Sequence, residues 1–189
     1  MPHRNALVLP GMALLAVLWI LGPPAAASKV RSVNLEEMTE RAATIFSGRV
    51  LRVQQVQDPV SDQAVTVATF EVERVVKGDV DRELTIKLYR GGATRPVIEF
   101  REGERVVLFL YGASALGLTS PVGLGQGKFS IATGKGGRRL AVNTTGNRDL
   151  FGNLTPEANG RLATLLPQDR GTGGLEAGVL LDMAQALLP

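Results

Sequence analysis

Cysteine is absent from the 189 residues, and histidine occurs once, at position 3. Without cysteine there is no disulfide, no thiolate nucleophile and no sulfur ligand for zinc or iron. His3 lies in a segment read below as a removable leader, so the exported product would carry no imidazole either. No Ser-His-Asp or Cys-His arrangement can then be assembled, and the two residue types most used as nucleophile and general base at neutral pH are missing. The chain is expected to be no enzyme and to hold no metal and no cofactor. Aromatic residues make up only 5% of the chain, and the one local basic cluster is Arg138-Arg139 near Lys135. Nucleic-acid binders show broader basic faces, often interleaved with aromatics, so no nucleic-acid partner is expected.

The basic isoelectric point, near 9.6, has a simple origin. Losing Arg4 with the leader leaves 20 basic and 18 acidic side chains. With no His or Cys, almost nothing titrates between the carboxylates and the Tyr and Lys groups, so a small cationic excess moves the isoelectric point far upward.

What is present begins with an address. Met1 to Asn5 carries Arg4, an apolar run follows from Ala6 to Leu21, and Gly22-Pro23-Pro24 breaks any helix. Ala25-Ala26-Ala27 then supplies small residues before Ser28, which is the layout of a secretory signal peptide. The apolar run is short for a membrane span and is interrupted by Pro10-Gly11. No Cys stands near residue 20 to be acylated. Cleavage between Ala27 and Ser28 is expected to release a periplasmic or extracellular protein without a stable membrane anchor.

Removal of 27 residues from 189 leaves 162, enough for one core. Residues 28–145 read as a β-barrel domain, 146–167 as a helical extension, and 168–189 as a Gly-rich connector with a C-terminal helix. Asn34 with Glu37 three residues on opens a helix whose apolar stripe is Leu35, Met38, Ala42 and Ile45. A Val-rich strand spans Phe46 to Gln57, with Gly48 marking a bulge or close approach. The second strand, Ala64 to Val76, changes parity, which predicts a bulge near Ala68. Leu84 to Tyr89 alternates as a third strand, and Arg105 to Tyr111 is apolar on both parities, as in a strand covered on both faces. Weaker strands are expected near Leu116–Ser120, Gly127–Ala132 and Arg138–Asn143. Thr155-Pro156-Glu157 opens a later helix, and Leu175 to Leu188 forms a last one expected to cap the barrel. The fold class is mainly β: an OB-like small barrel with an N-terminal helix and C-terminal helices.

Few groups point to chemistry. Gly123-Leu124-Gly125-Gln126-Gly127-Lys128 has the wrong spacing for a phosphate loop, and Phe129 stands where Ser or Thr is required. Asp58, Asp62, Asp79 and Asp81 occupy turns, where acids serve turn geometry. Asp79-Val80-Asp81 lacks the rest of a calcium loop. Lys77, Lys87, Lys128 and Lys135 read as exposed, unsuited to Ser-Lys catalysis. Asn143-Thr144-Thr145 and Asn153-Leu154-Thr155 match a glycosylation pattern short enough to arise by chance. The surface that stands out is the loop from Arg90 to Arg101, with Tyr89, Arg90 and Arg95 of the types enriched at binding hot spots.

The segments AATIFSGRVLRV, ATFEVERVVKGD, LTIKLYRGG, FREGERVVLFLY and GLGQGKFSI together resemble small secreted bacterial proteins of unassigned function. That group is similar in pattern to netrin-like modules, the OB-type barrels of tissue inhibitors of metalloproteases. The resemblance, over Val33 to Thr133, implies a helix leading into a coiled first strand and a closed five-stranded barrel. Netrin-like modules begin with a Cys-x-Cys segment whose amino terminus, in the inhibitors, reaches a protease zinc. Here Ser28-Lys29-Val30 stands at that place, so no inhibitory residue carries over.

The function expected is a non-catalytic binding or interaction module for another exported protein or an envelope component. The alternatives are an envelope polysaccharide hydrolase working with carboxylates and, more distantly, a protease inhibitor. Mass spectrometry of the product exported by its native host should find Ser28 at the amino terminus, whereas an intact Met1 would contradict export by cleavage.

Overall fold

The computed structural model describes residues 31–90, 98–166 and 173–189. The leader with its Ala27–Ser28 junction, Arg95 and most of the Arg90–Arg101 loop, and residues 167–172 of the connector lie outside the described residues.

The described chain is mainly β, with three helices. Helix α1 spans Leu35–Arg41, α2 Pro156–Leu162 and α3 Ala177–Ala186. The strands are β1 (Thr44–Asp58), β2 (Gln63–Lys77), β3 (Glu83–Tyr89), β4 (Arg105–Leu110), β5 (Leu118–Thr119), β6 (Lys128–Thr133), β7 (Arg139–Asn143) and β8 (Leu175–Glu176). They form one eight-stranded sheet in the order β5-β3-β2-β1-β4-β6-β7-β8. Strands β5 and β8 stand at the two ends of this order, so the sheet as a whole is open and not the closed barrel expected. No helix among the described residues is long and apolar enough to cross a membrane.

Helix α1 starts where the capping signal put it, with the Glu37 N–H donating to the Asn34 side chain at 2.8 Å. The Glu37 carboxylate does not return to Asn34; it pairs with Arg31 and with Arg41 four residues on. The helix ends at Arg41, earlier than its apolar stripe suggested, because Thr44 and Ile45 are β-branched and enter β1. Thr155 caps α2 with Pro156 at the first helical position, as expected.

Strand β1 holds the sheet together. It pairs with β2 from Ile45 to Asp58 and, on its other edge, with β4 from Thr44 to Arg49. Its pairing with β2 slips at Ile45/Phe46, Ser47/Gly48 and Val50/Arg52, whereas β2 pairs with β3 without a break. The bulge expected on β2 near Ala68 is therefore on the opposing strand, where Leu51 is the extra residue. Irregularities of this kind increase local twist and let a long strand bend. At Gly48 the approach is close: a Cβ there would lie 2.5 Å from the Glu71 carbonyl oxygen.

Both faces of the bent sheet are covered. On one, Phe46, Val50, Phe70, Ile86, Val106 and Leu108 pack with Ile98 and Phe100. Phe70 meets Phe46 and Phe100 edge to face at 5.5 and 5.3 Å. On the other, Ile45, Val107, Phe109 and Phe129 pack against Leu35 and Met38 of α1, Leu162 of α2 and Leu180 and Met183 of α3. Strand β4 contributes to both, which explains its apolar residues on both parities. Helix α3 is shorter at both ends than expected. It lies in this second cluster, its first two expected residues forming β8 against β7.

Lys128 corrects one expectation. Its side chain is only 10% exposed, 2.7 Å from Glu104 and over the ring of Phe100. Ser130 donates to the same Glu104 oxygen, so Lys128 and Ser130 brace the Arg101–Glu104 turn and form no Ser-Lys pair. The Gly48→Ala variant should lose about 1–3 kcal/mol of stability, read from urea denaturation, because the added methyl forces β1 away from Glu71.

Candidate functional site

The end of β3 meets two neighbours. On one side it pairs with β2, Val65 opposite Tyr89 and Thr66 opposite Leu88. On the other it pairs in parallel with β5, Lys87 with Leu118 and Leu88 with Thr119. Past β5 the chain returns to β4: Leu110 bridges Pro121, the Tyr111 N–H donates to the Ser120 carbonyl at 3.0 Å, and the Val122 N–H donates to Phe109 at 2.8 Å. Where these segments converge lies a cleft of about 580 Å³, its walls supplied chiefly by Leu88, Tyr89, Ile98, Tyr111, Leu118 and Leu124. Gln63, Thr66, Ser114 and Ser120 add hydroxyl and amide groups, and among the described residues no charged one lines it.

Leu124 reaches this cleft by an unusual backbone. Its φ is +59°, in the left-handed region that a branched side chain rarely occupies, and it is 42% exposed. The turn that carries it is held by buried Gln126. The Gln126 side-chain oxygen accepts from the Val33 N–H at 2.9 Å, and its amide donates to the Arg31 and Gly123 carbonyls. Asn143, also buried, donates to the Gln126 carbonyl. Gly127 permits the winding, since a Cβ there would lie 2.5 Å from the Val122 carbonyl oxygen. The glycine run that fails as a phosphate loop is thus a tight turn that presents Leu124.

Tyr89 is exposed and lines the cleft; Arg90 follows it, half-buried, its N–H extending the ladder onto the Ala64 carbonyl. Arg95, the third residue singled out in the sequence, lies outside the described residues. Sequence reasoning missed Thr66, Tyr111, Leu118 and Leu124. Only Leu124 had a signal, in the closely spaced glycines around it.

Asp58 fixes the nearby hairpin tip. It is buried, with Lys87 Nζ 2.7 Å from one carboxylate oxygen and the Ser61 N–H and hydroxyl each 2.9 Å from the other. The Lys87 hydrogen bond first, and then those from Ser61, hold the carboxyl down at about 2 from its ordinary 3.8. Asp58 therefore serves turn geometry, as expected of a turn acid, and it also ties the β1–β2 hairpin to β3 beside Tyr89.

A second, polar groove of about 1000 Å³ runs between α1 and the segment from Asp149 to Thr155. Of the four acids that line it, Glu36, Glu37, Glu40 and Asp149, all but Glu40 are engaged in structure. Glu36 accepts from the Thr155 N–H and hydroxyl, Glu37 pairs with Arg31 and Arg41, and Asp149 accepts from Ser32. Among the described residues no group of three or more acidic side chains is placed to hold a metal ion. Asn143 of the first glycosylation triplet is buried and hydrogen-bonded, so that triplet is closed to modification in the folded state.

No protein-family model matches this chain, and no curated protein matches it.

A depressed carboxyl stabilises the fold where it is charged and stops doing so once it is protonated. The contribution of Asp58 is complete above its ordinary pKa of 3.8 and is lost as pH falls through about 2. Urea denaturation at stepped pH should therefore show stability falling between about pH 4 and pH 2 more steeply in the parent than in Asp58→Asn.

Proposed function

We propose that the chain is an exported, non-catalytic binding module that holds another exported protein or an envelope component against the face bearing Tyr89. The leader supports export, and the lack of cysteine and of histidine beyond position 3 supports a role without nucleophilic catalysis. An OB-like barrel suits the chain path: β1 pairs with β2 and β4, β2 with β3, and β3 in parallel with β5. The hydrogen bonds from β4 to the segment after β5 would complete the circuit.

One observation carries the reading. Tyr89 and Leu124 line the cleft at 55% and 42% exposure, and Leu116 stands in the loop beside them at 44%. Large apolar groups gathered at the rim of a concave surface mark interaction sites. Leu124 adds weight, since backbone strain that exposes an apolar side chain serves no purpose in packing. A hydrolase acting through carboxylates finds less support, because Glu36, Glu37 and Asp149 of the polar groove already cap, pair or brace other groups, which leaves Glu40 there without a second uncommitted carboxylate among the described residues.

The variants Tyr89→Ala and Leu124→Gly test this. Glycine suits the left-handed backbone, so Leu124→Gly should stay within about 1 kcal/mol of the parent in stability. In a pull-down from the host's exported fraction, each variant should retain its partner about ten-fold less well. A partner recovered equally by both variants moves the interface off this face, and no partner in repeated extractions sinks the reading.

A further inference from the structure

Strand β1 leaves one long edge without a partner. Its pairing with β4 stops at Arg49, and the last backbone bonds on that side join Val50 to Glu104 and Gly103, each at 2.8 Å. Beyond them β1 runs on to Asp58 against β2 alone among the described residues. Which of its groups face outward follows from the far side of the hairpin. The Arg90 N–H donates to the Ala64 carbonyl, so Ala64 turns its peptide groups toward β3. Gln57, opposite Ala64, therefore turns its own N–H and carbonyl away from β2, and Gln55 and Val53 do the same by alternation. The Val53 N–H agrees, reaching the exposed Glu102 carboxylate at 3.2 Å. The outward groups of Gln55 and Gln57 meet no backbone partner among the described residues.

Sheet edges are usually blunted by charge, by proline, by a bulge or by being short. The end strands β5 and β8 are short, two residues each. From Val53 to Gln57, by contrast, the run VQQVQ holds no charged residue, no Pro and no Gly. The last slip in the β1–β2 register lies before it, between Val50 and Arg52. Gln54, Gln55, Val56 and Gln57 are all exposed. Charges stand only at the two ends of the run. Arg52, exposed, forms no ion pair among the described residues, and Asp58 is the acid at the other end.

We propose that this edge pairs with the same edge of a second copy of the chain, antiparallel across a two-fold axis at Gln55. Antiparallel bonds form only where outward residues stand opposite one another. The register centred on Gln55 uses all three, with Val53 opposite Gln57 and Gln55 opposite itself, and the exposed Glu102 side chain gives way at Val53. It also brings Arg52 of one copy into register with Asp58 of the other, at both ends, and pairs Gln54 with Val56. Opposite charges in register favour such a pair, whereas a parallel arrangement would set Arg52 against Arg52. The two Gln55 amides meet on the axis, as in glutamine ladders. A two-fold contact is self-complementary and closes at two copies. An edge of this length covers less than a standard interface of about 1,600 Å², so the pair separates on dilution.

The test is sedimentation velocity of the protein purified from its native host, from about 1 μM to about 100 μM, where monomer should give way to dimer. Gln55→Pro should stay monomeric throughout and keep the parent's circular dichroism, because the N–H it removes faces away from β2. Should that variant fail to fold, Gln55→Lys decides: it sets two like charges opposite each other on the axis and should weaken the dimer about ten-fold or more. Register is read with cysteine, of which the parent has none. On the axis the two Cα atoms would stand about 5.5 Å apart, within the span of a disulfide, so Gln55→Cys should oxidise to a linked dimer. Gln54→Cys should link about ten-fold more slowly, its two copies lying beyond the roughly 7 Å that a bridge tolerates. A monomer at every concentration, an open-ended series of larger species, a dimer unchanged in Gln55→Pro or Gln55→Lys, or equal linkage through Gln54→Cys would each overturn the proposal. It does not rest on the partner-binding reading: failure of the pull-down leaves the sedimentation result untouched, and the reverse also holds.

Discussion

The rest of the structure depends on how tightly β1 is allowed to lie against β2. From Ile45 to Arg49 β1 pairs on both edges, and beyond Val50 its pairing continues with β2 alone. A regular ladder would keep a fifteen-residue strand nearly straight, and its apolar residues would face a flat, open surface. The slips at Gly48 and Leu51 turn the strand, and the absence of a side chain at Gly48 lets the Glu71 carbonyl close in. That bend brings Phe46, Phe70 and Phe100 into edge-to-face contact on one face. It leaves Ile45, Val107 and Phe109 on the other face for the three helices to cover.

The cleft follows from the same bend. Because β3 curls with β2, its end comes beside a chain segment that has already passed β4, and β5 needs only two residues to join them. Short pairing leaves a gap there that side chains do not fill. The turn from Gly123 to Gly127 then sets what faces the gap, and it is held by Gln126 and Asn143, buried amides whose bonds go to the backbone of Arg31, Val33 and Gly123 and to each other's turn. A satisfied buried polar network of this sort is rigid, and that rigidity lets Leu124 persist at a positive φ.

Much of the architecture was legible because it is local. The caps at Asn34 and Thr155 act within three residues, and alternation in β3 or the double-sided apolarity of β4 reads directly from spacing. What failed was non-local. Ile45 continues the apolar stripe of α1 in sequence, yet it serves the sheet, because strand pairing with β4 and β2 outweighs one more helical turn. The parity change in β2 was visible, but a bulge can be placed on either of two paired strands, and only the partner's register shows it on β1. Lys128 looked like any strand-face lysine until Glu104 and Phe100, 24 and 28 residues away, came to lie beside it. Thr66 carries no sequence signal at all, since threonine in a strand is ordinary and its isolation arises from neighbours distant in the chain.

Charge distribution separates what holds the fold from what remains for recognition. Asp58, Glu73, Glu104 and Glu37 each pair with cations that join different segments, so these acids are committed to the scaffold. The two unpartnered buried polar atoms among the described residues, the Thr66 hydroxyl and the Arg90 Nε, both belong to the end of the sheet where β3 meets β5. Elsewhere the structure meets the needs of its buried amides and carboxylates with several bonds each, as at Gln126, Asn147 and Asp58. Within the described residues the interior is thus satisfied almost throughout, and its two exceptions are both shielded from solvent near the same end of the sheet.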